Sequence, residues 1–276
     1  MRICGLDLAR PRIMGILNVT PDSFSDGGTL DGVEAAVARG RALVADGADI
    51  LDIGGESTRP GAVDVAVEDE IARVVPVIEG VRAAGVTTPI SIDTRKAAVA
   101  AAALTAGADM VNDVTALRYD LDMGAVVARA GCDVCLMHSK GDPATMQDAP
   151  AYENVTEEVL DHLRAAVDRA RAAGIADDRI VVDPGIGFGK TQDHNLTLLR
   201  DLARFGELGF PVLLGASRKR FIGAITGVEV ARDRLSGSLA VALHGVALGA
   251  HILRVHDVAE TRQALAIWQA INGDRA

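Results

Sequence analysis

Residues 179–190, RIVVDPGIGFGK, decide how the rest of the chain is read. Ile180, Val181 and Val182 form an apolar run that ends on a carboxylate, Asp183, before Pro184 and three glycines break regular structure. Apolar and β-branched residues without alternation suit a strand buried on both faces, as in a parallel sheet. An acid at the end of such a strand costs desolvation unless it meets a partner or faces a cavity. The same design recurs at residues 50–55, 90–93, 110–113, 134–138, 212–215 and 252–256. Each apolar run leads to its chemistry at the C-terminal tip, which is the layout of an active site.

Working outward, the pattern predicts eight core strands, at 13–17, 50–53, 90–92, 110–112, 133–137, 180–183, 211–214 and 251–255. A short strand pair around Gly5, Leu6 and Asp7 precedes them. Helices are expected over 33–46, 66–84, 95–106, 121–130, 155–173 and 258–271, and the first five stop at Gly47, Gly85, Gly107, Gly131 and Gly174. Asp93 and Thr94 stand where an N-cap for the third helix belongs. No linker or low-complexity segment divides the series. Repeated strand–helix units in a chain near the typical length of about 250 residues fit a single-domain (β/α)8 barrel over 1–276, with the strand pair at its N-terminus. An open dinucleotide-binding sheet is disfavoured, because Gly185, Gly187 and Gly189 have the wrong spacing and Pro184 stands where a phosphate-binding loop needs glycine.

Composition narrows the partners. A formal charge of −10 and only eight aromatic residues (one Trp, two Tyr, five Phe) argue against nucleic acid or an anionic membrane. No stretch approaches the ~18 apolar residues of a membrane helix. Three cysteines without a secretory leader predict a reduced, cytoplasmic protein, with the sequons at Asn18, Asn154 and Asn195 left unmodified. Cys132 and Cys135 lie three apart on a strand and so face opposite ways, which assigns them to packing rather than to zinc.

The tips sort by chemistry. Asp93, Asn112 and Asp183 can accept the adjacent N–H groups of an amino-pyrimidinone-type heterocycle. Cations gather elsewhere: Arg59, then Arg218, Lys219 and Arg220, then Arg254 and His256, which share a strand face and suit an anionic leaving group near the last two strands. His138 and His244 read as packed residues, His162 and His194 as helix-surface or cap residues. Ser217 has no base beside it in sequence, so chemistry by positioning and electrostatics is favoured over covalent catalysis. Asn18, with Asp22, Ser23 and Ser25 in its loop, supplies oxygen ligands suited to a Mg2+ held mostly by a diphosphate substrate.

These motifs together carry a resemblance. ILNVTPDSFSDGG at 16–28, DIGGESTRPG at 52–61, SIDT at 91–94, VNDV at 111–114, LMH at 136–138, DPGIGF at 183–188, GASRK at 215–219 and RVHD at 254–257 resemble, in order, those of bacterial dihydropteroate synthases. The resemblance implies an alkyl-transferring enzyme that condenses 6-hydroxymethyl-7,8-dihydropterin diphosphate with 4-aminobenzoate, a homodimer, and a sulfonamide target. It assigns Asp93, Asn112, Asp183, Lys219, Met137, Gly215 and Phe188 to the pterin. Asn18, Thr58, Arg254 and His256 fall to the diphosphate, with Asn18 also at Mg2+. Thr58, Arg59, Pro60, Phe188, Lys219 and Arg220 fall to the aminobenzoate, and Lys219, Arg59 and Asp93 to catalysis. The sequence departs from the family after Thr115, where it reads Ala116-Leu117-Arg118-Tyr119 and many members have glycines, and at Arg220, where serine is common.

Two other functions fit the barrel. A methyltetrahydrofolate-dependent methyltransferase would share the acidic tips but has no need of the full cationic set. A non-catalytic pterin-binding paralogue would be marked by losses at Arg59 or Lys219, and both are present. The sequence further predicts that Lys219→Ala and Arg254→Ala abolish turnover and leave thermal unfolding little changed.

Overall fold

The computed structural model describes residues 1–20, 30–57, 64–141 and 150–273. Strands β1 (Arg2–Ile3) and β2 (Leu6–Asp7) form an antiparallel pair. The chain then alternates β3 (Arg12–Asn18), α1 (Leu30–Ala45), β4 (Ile50–Gly54), α2 (Val67–Ala83), β5 (Ile90–Asp93) and α3 (Ala97–Thr105). It continues with β6 (Met110–Asp113), α4 (Met123–Ala130), β7 (Asp133–Met137), α5 (Val155–Ala172) and β8 (Ile180–Asp183). The last part holds α6 (Gln192–Arg200), α7 (Ala203–Gly206), β9 (Leu213–Leu214), α8 (Arg220–Thr226), α9 (Leu235–Ala247), β10 (Ile252–Val255) and α10 (Val258–Asn272).

Strands β3 to β10 form one parallel sheet in the order β8-β7-β6-β5-β4-β3-β10-β9. A bridge from Val182 to Val212, with Val182 N–H donating to the Pro211 carbonyl at 2.9 Å, brings its two edges together. The expected (β/α)8 barrel is the observed one.

Side-chain alternation explains why the strands read as unbroken apolar runs. One set of positions faces out under the helices: Ile13, Leu17, Leu51, Ile53, Ile90, Ile92, Val111, Leu136, Val182 and Val255 all belong to the large cluster between sheet and helices. The other set faces the barrel axis. Met14, Ile50, Met110, Cys135, Val181, Leu213 and Ile252 form a second cluster, joined by Ile3 and Leu8 of the N-terminal segment, which caps the bottom. Each such residue is fully buried, and each burial contributes on the order of 1.5–3 kcal/mol. Two positions further along these strands the axial side chains become Ile16 and Asn18, Asp52, Asn112, Met137, Asp183, Gly215, and Arg254. The polar tips therefore sit one pleat above an apolar plug.

Cys132 and Cys135 fall in the outer and inner clusters respectively, so they do face opposite ways, and all three cysteines are free. Among the described residues no helix is long and apolar enough to cross a membrane.

Three expectations need correction. Asp93 and Thr94 do not cap α3 by the carboxylate: the Ala97 N–H goes to Asp120 Oδ2 at 2.8 Å, which frees Asp93 to face the axis. Strand seven is shorter than expected, only Leu213–Leu214. The sequence reading also gives no helix bounds between residues 190 and 251, beyond placing His194 on a helix surface or cap, and four helices occur there. Two of these, α7 and α8, are four and seven residues long, too short to show a period. The third, α6, starts on a capping box of Thr191 and His194, which lacks the Glu or Gln of the usual signature. The fourth, α9, is built from Leu, Ala, Val, Gly and Ser and has no clear polar face.

Candidate active site

Parallel register aligns the tips. Asn18 is paired with Gly54, Gly54 with Asp93, Asp93 with Asn112, and Met137 with Asp183. The rim therefore carries Asn18, Asp93 and Asn112 in one register, with Asp52 one pleat below, and because Asn112 pairs with Cys135, Met137 and Asp183 stand one pleat further along.

Arg254 organises the floor. Its Nε donates to Asp52 Oδ2 at 2.6 Å and its Nη2 to Asp93 Oδ2 at 2.6 Å. Asn112 Nδ2 reaches the same Asp52 oxygen at 3.4 Å. The guanidinium thus spends two N–H groups on carboxylates, where the sequence reading gave it only an anionic leaving group. Asp52 belongs to this centre and was missed by that reading. Its signal was an acid in the middle of an apolar strand, displaced from the tip.

The carboxylates are not fully satisfied. Asp52 Oδ1 and Asp93 Oδ1 are buried and have no hydrogen-bond partner among the described residues. Unpaired buried acceptors are costly, so these two oxygens call for donors from a ligand. Burial raises the Asp93 carboxyl to about 7; Arg254 opposes this, and repulsion from Asp52 and Glu70 adds to it. Asp183 is raised to about 6, again chiefly by burial, against the Gly185 N–H that donates to its Oδ1 at 2.7 Å. Carboxyls poised near neutrality in a concave site mark it as functional.

Gly215 forms the wall beside them. A Cβ there would lie 3.7 Å from Asp183 Oδ2 and 3.9 Å from Arg254 Cβ, so any side chain would project over the acids. On the same side Lys219 Nζ sits 4.0 Å over the Phe188 ring, a cation–π contact that joins the loops after β8 and β9. Both residues are half-buried. Gly187 at φ +84° makes room for the lysine, since a Cβ would come within 3.0 Å of Lys219 Cδ.

Ser217 does have a base beside it, contrary to the sequence reading: its Oγ lies 3.0 Å from His256 Nδ1. It also accepts the His256 backbone N–H at 3.3 Å. The pair fixes the imidazole at the end of β10, where an anion would meet the ring. Sequence could not show it, because the partners are 39 positions apart. Arg218 turns away and pairs with Asp257, its Nε at 3.0 Å. Arg220 is exposed at the start of α8. Thr58, Arg59 and Pro60, like Asp22, Ser23 and Ser25, lie outside the described residues.

His138 is a packed residue as expected, 4% exposed, with Nδ1 2.8 Å from the buried Lys190 Nζ. Lys190 Nζ also donates to the Gly185 and Phe188 carbonyls at 2.8 and 3.0 Å, tying down the loop that presents Asp183 and Phe188. Among the described residues no three His, Cys, Asp or Glu side chains converge as a metal centre. Asn18 offers an amide oxygen at the rim.

Eight parallel strands that carry buried acceptors over an apolar plug define a (β/α)8 barrel with its site at the strand tips, and the family model of the pterin binding enzymes matches residues 14–256. Dihydropteroate synthase of Escherichia coli K12 is 47% identical over 267 residues, covering 96% of this chain and 93% of that one. Two solved structures of dihydropteroate synthase from Xanthomonas albilineans superpose closely. The one with 4-aminobenzoic acid has a TM-score of 0.91 and 52% identity, covering 97% of this chain and 95% of that one. The one in complex with 7,8-dihydropteroate has a TM-score of 0.88 and 49% identity, covering 97% and 96%. This chain belongs to the dihydropteroate synthases of the pterin-binding enzyme family.

Proposed function

We infer that this chain condenses 6-hydroxymethyl-7,8-dihydropterin diphosphate with 4-aminobenzoate, giving 7,8-dihydropteroate and diphosphate for folate biosynthesis. The observation that carries the reading is the pair of buried carboxylate oxygens on Asp52 and Asp93 that have no partner among the described residues, each on a carboxylate whose other oxygen is held by Arg254. Relatives matched along nearly their whole length, with 4-aminobenzoate or dihydropteroate bound, support it.

Asp93, Asn112 and Asp183 hold the pterin edge, Met137 and Gly215 its faces, and Lys219 and Phe188 the mouth of the pocket. The bond from the pterin methylene carbon to the diphosphate oxygen breaks, and the electron pair leaves with the diphosphate. Arg254 and the Ser217-oriented His256 stabilise the charge that develops there. The aryl amine then forms the new C–N bond and gives up a proton. No protein nucleophile is required, in keeping with thiols that burial keeps protonated, Cys132 being raised to about 11. Asn18 would hold the Mg2+ that accompanies the diphosphate and neutralises part of its charge. Thr58, Arg59 and Pro60, with Arg220 at the outer edge, receive the aminobenzoate. The chain would form a homodimer through its late helices, of which α8 exposes Ile225 and α10 exposes Ile267 and Ile271.

The test is diphosphate release by the purified chain with Mg2+ and dihydropterin diphosphate, with and without 4-aminobenzoate. Release that depends on the amine, with dihydropteroate detected by mass, upholds the reading. Tight pterin binding without product would instead make the chain a binding paralogue.

A further inference from the structure

Lys190 ends the turn that follows β8, and it is only 3% exposed. A lysine ammonium has three N–H groups to give and accepts none. Here Nζ stands 2.8 Å from His138 Nδ1, 2.8 Å from the Gly185 carbonyl and 3.0 Å from the Phe188 carbonyl. A fourth acceptor, the His138 carbonyl, lies at 3.5 Å. An ammonium matches this shell, whereas a neutral amine has two N–H groups and would turn its lone pair on an acceptor. Burial pulls the lysine toward the neutral amine and Asp183 favours the charge. Four acceptors around Nζ decide for the charged form. His138 complements it: burial and the neighbouring Lys190 both keep the imidazole neutral, so Nδ1 accepts and Nε2 carries the proton.

The turn held by this ammonium is bonded at nearly every residue. The Gly185 N–H donates to Asp183 Oδ1 at 2.7 Å, and the Phe188 N–H to the Gly185 carbonyl at 3.1 Å. The Gly187 N–H goes to Asn195 Oδ1 at 2.7 Å, and the Gly189 carbonyl accepts from the Tyr152 hydroxyl at 2.8 Å. Lys190 therefore grips, through Gly185, the residue whose N–H fixes the Asp183 carboxylate. It also favours the ionised form of that carboxylate. Three cations do so: Lys219 from the loop after β9, Lys190 from the turn itself and Arg254 from β10. The Cys135 thiol on β7 feels the same acid, and burial keeps it protonated. Arg254 is bonded to Asp52 and Asp93, and Lys219 lies over Phe188. Lys190 is bonded to no acid among the described residues, and Asp183 is the carboxylate whose charge bears on it.

We propose that Lys190 is a positioning residue for the pterin: it holds the 183–188 turn that aims Asp183 and Phe188, and it supplies a fixed positive charge behind the Asp183 carboxylate. The inference rests on the reading that Asp183 accepts from the pterin edge. A tie that only shaped the turn would help binding equally at every pH. A charge behind Asp183 helps most where that carboxyl titrates, at about 6. Removing the charge raises the carboxyl further and leaves less of the ionised, accepting form at acid pH.

The experiment measures, by calorimetry at pH 6 and pH 8, the affinity of the full-length chain for 6-hydroxymethyl-7,8-dihydropterin, which has no diphosphate to titrate. Lys190→Met removes the charge and keeps the length of the side chain. It is expected to weaken binding about fivefold more at pH 6 than at pH 8, the effect of moving Asp183 up by about one pH unit. Lys190→Gln keeps N–H donors for the two carbonyls and is expected to show the same contrast with a smaller loss of thermal midpoint. An equal loss at both pH values, or no loss, in a folded variant overturns the proposal. Lysine labelled with 15N in the wild-type chain gives a reading that needs no substitution. A protonated Nζ protected from exchange is expected at pH 7, and a neutral amine there overturns the proposal. A wild-type chain that does not bind the dihydropterin overturns the pterin reading itself and this inference with it.

Discussion

Asp93 and Asp183 bind protons more tightly in the fold than a free carboxyl does, at about 7 and 6 against an ordinary 3.8. Between those values the native state holds protons that the unfolded chain has released, so stability is greatest at the acid end of the window and declines as pH rises through 6 to 7. The ionised forms are the ones that accept N–H groups from a pterin. Pterin affinity is therefore expected to increase across the same window, and binding near pH 6 to release a proton. Calorimetry in two buffers of different ionisation heat reads that proton directly, and its absence would remove these carboxyls from the pterin site. Arg254 and Lys219 also part company at this scale. Lys219→Ala truncates a half-buried side chain over Phe188 and is expected to cost about a hundredfold in turnover with little change in unfolding. Arg254→Ala leaves Asp52 and Asp93 buried without their cation and is expected to lose about 3–5 kcal/mol of stability as well. The sequence treats the two alike; only the contacts distinguish them.

Two loops show how the elements hold the site. After β8, Gly185 sits at φ +68°, and a Cβ there would come within 1.9 Å of the His138 carbonyl oxygen. Gly185→Ala is therefore expected to push the β7 and β8 tips apart, lowering the thermal midpoint and weakening pterin binding together. A variant with normal values of both would show that the loop is more pliable than its packing indicates. After β6, Ala116 and Leu117 both adopt left-handed backbone at φ +53° and +62°, a conformation that favours glycine. Asp113, fully buried, secures that turn by accepting from Thr115 N and Oγ1 at 2.8 and 2.7 Å and from Leu117 N at 2.7 Å. The strain of two consecutive non-glycine residues in left-handed backbone is thus offset by one side chain.

At the scale of the whole barrel, closure is uneven. Strands β3 and β4 share five register pairs, whereas β9 is two residues long and the seam with β8 is a single bridge, at Val182 and Val212 just before β9. Hydrogen exchange is expected to be fastest, among the barrel strands, at β9, and slowest at β3 and β4. Uniform protection around the barrel would show that helices α8 and α9 compensate for the weak seam. Lys219 and Gly215 both follow β9, so the seam lies beside the wall proposed to meet the pterin.

Periodicity and glycine stops were enough to place eight strands and most helices, because parallel barrel strands bury both faces and advertise themselves as apolar runs. The acids at the tips were legible for the same reason, since nothing in an apolar core explains Asp93 or Asp183. Charge, spacing and ordered motifs carried the reaction class. What sequence could not contain is which charges meet. Arg254 reaches acids 202 and 161 positions away, and His256 meets Ser217 39 positions away. Those pairings depend on the closure of the sheet, which brings distant tips within hydrogen-bond distance, and no local propensity encodes them.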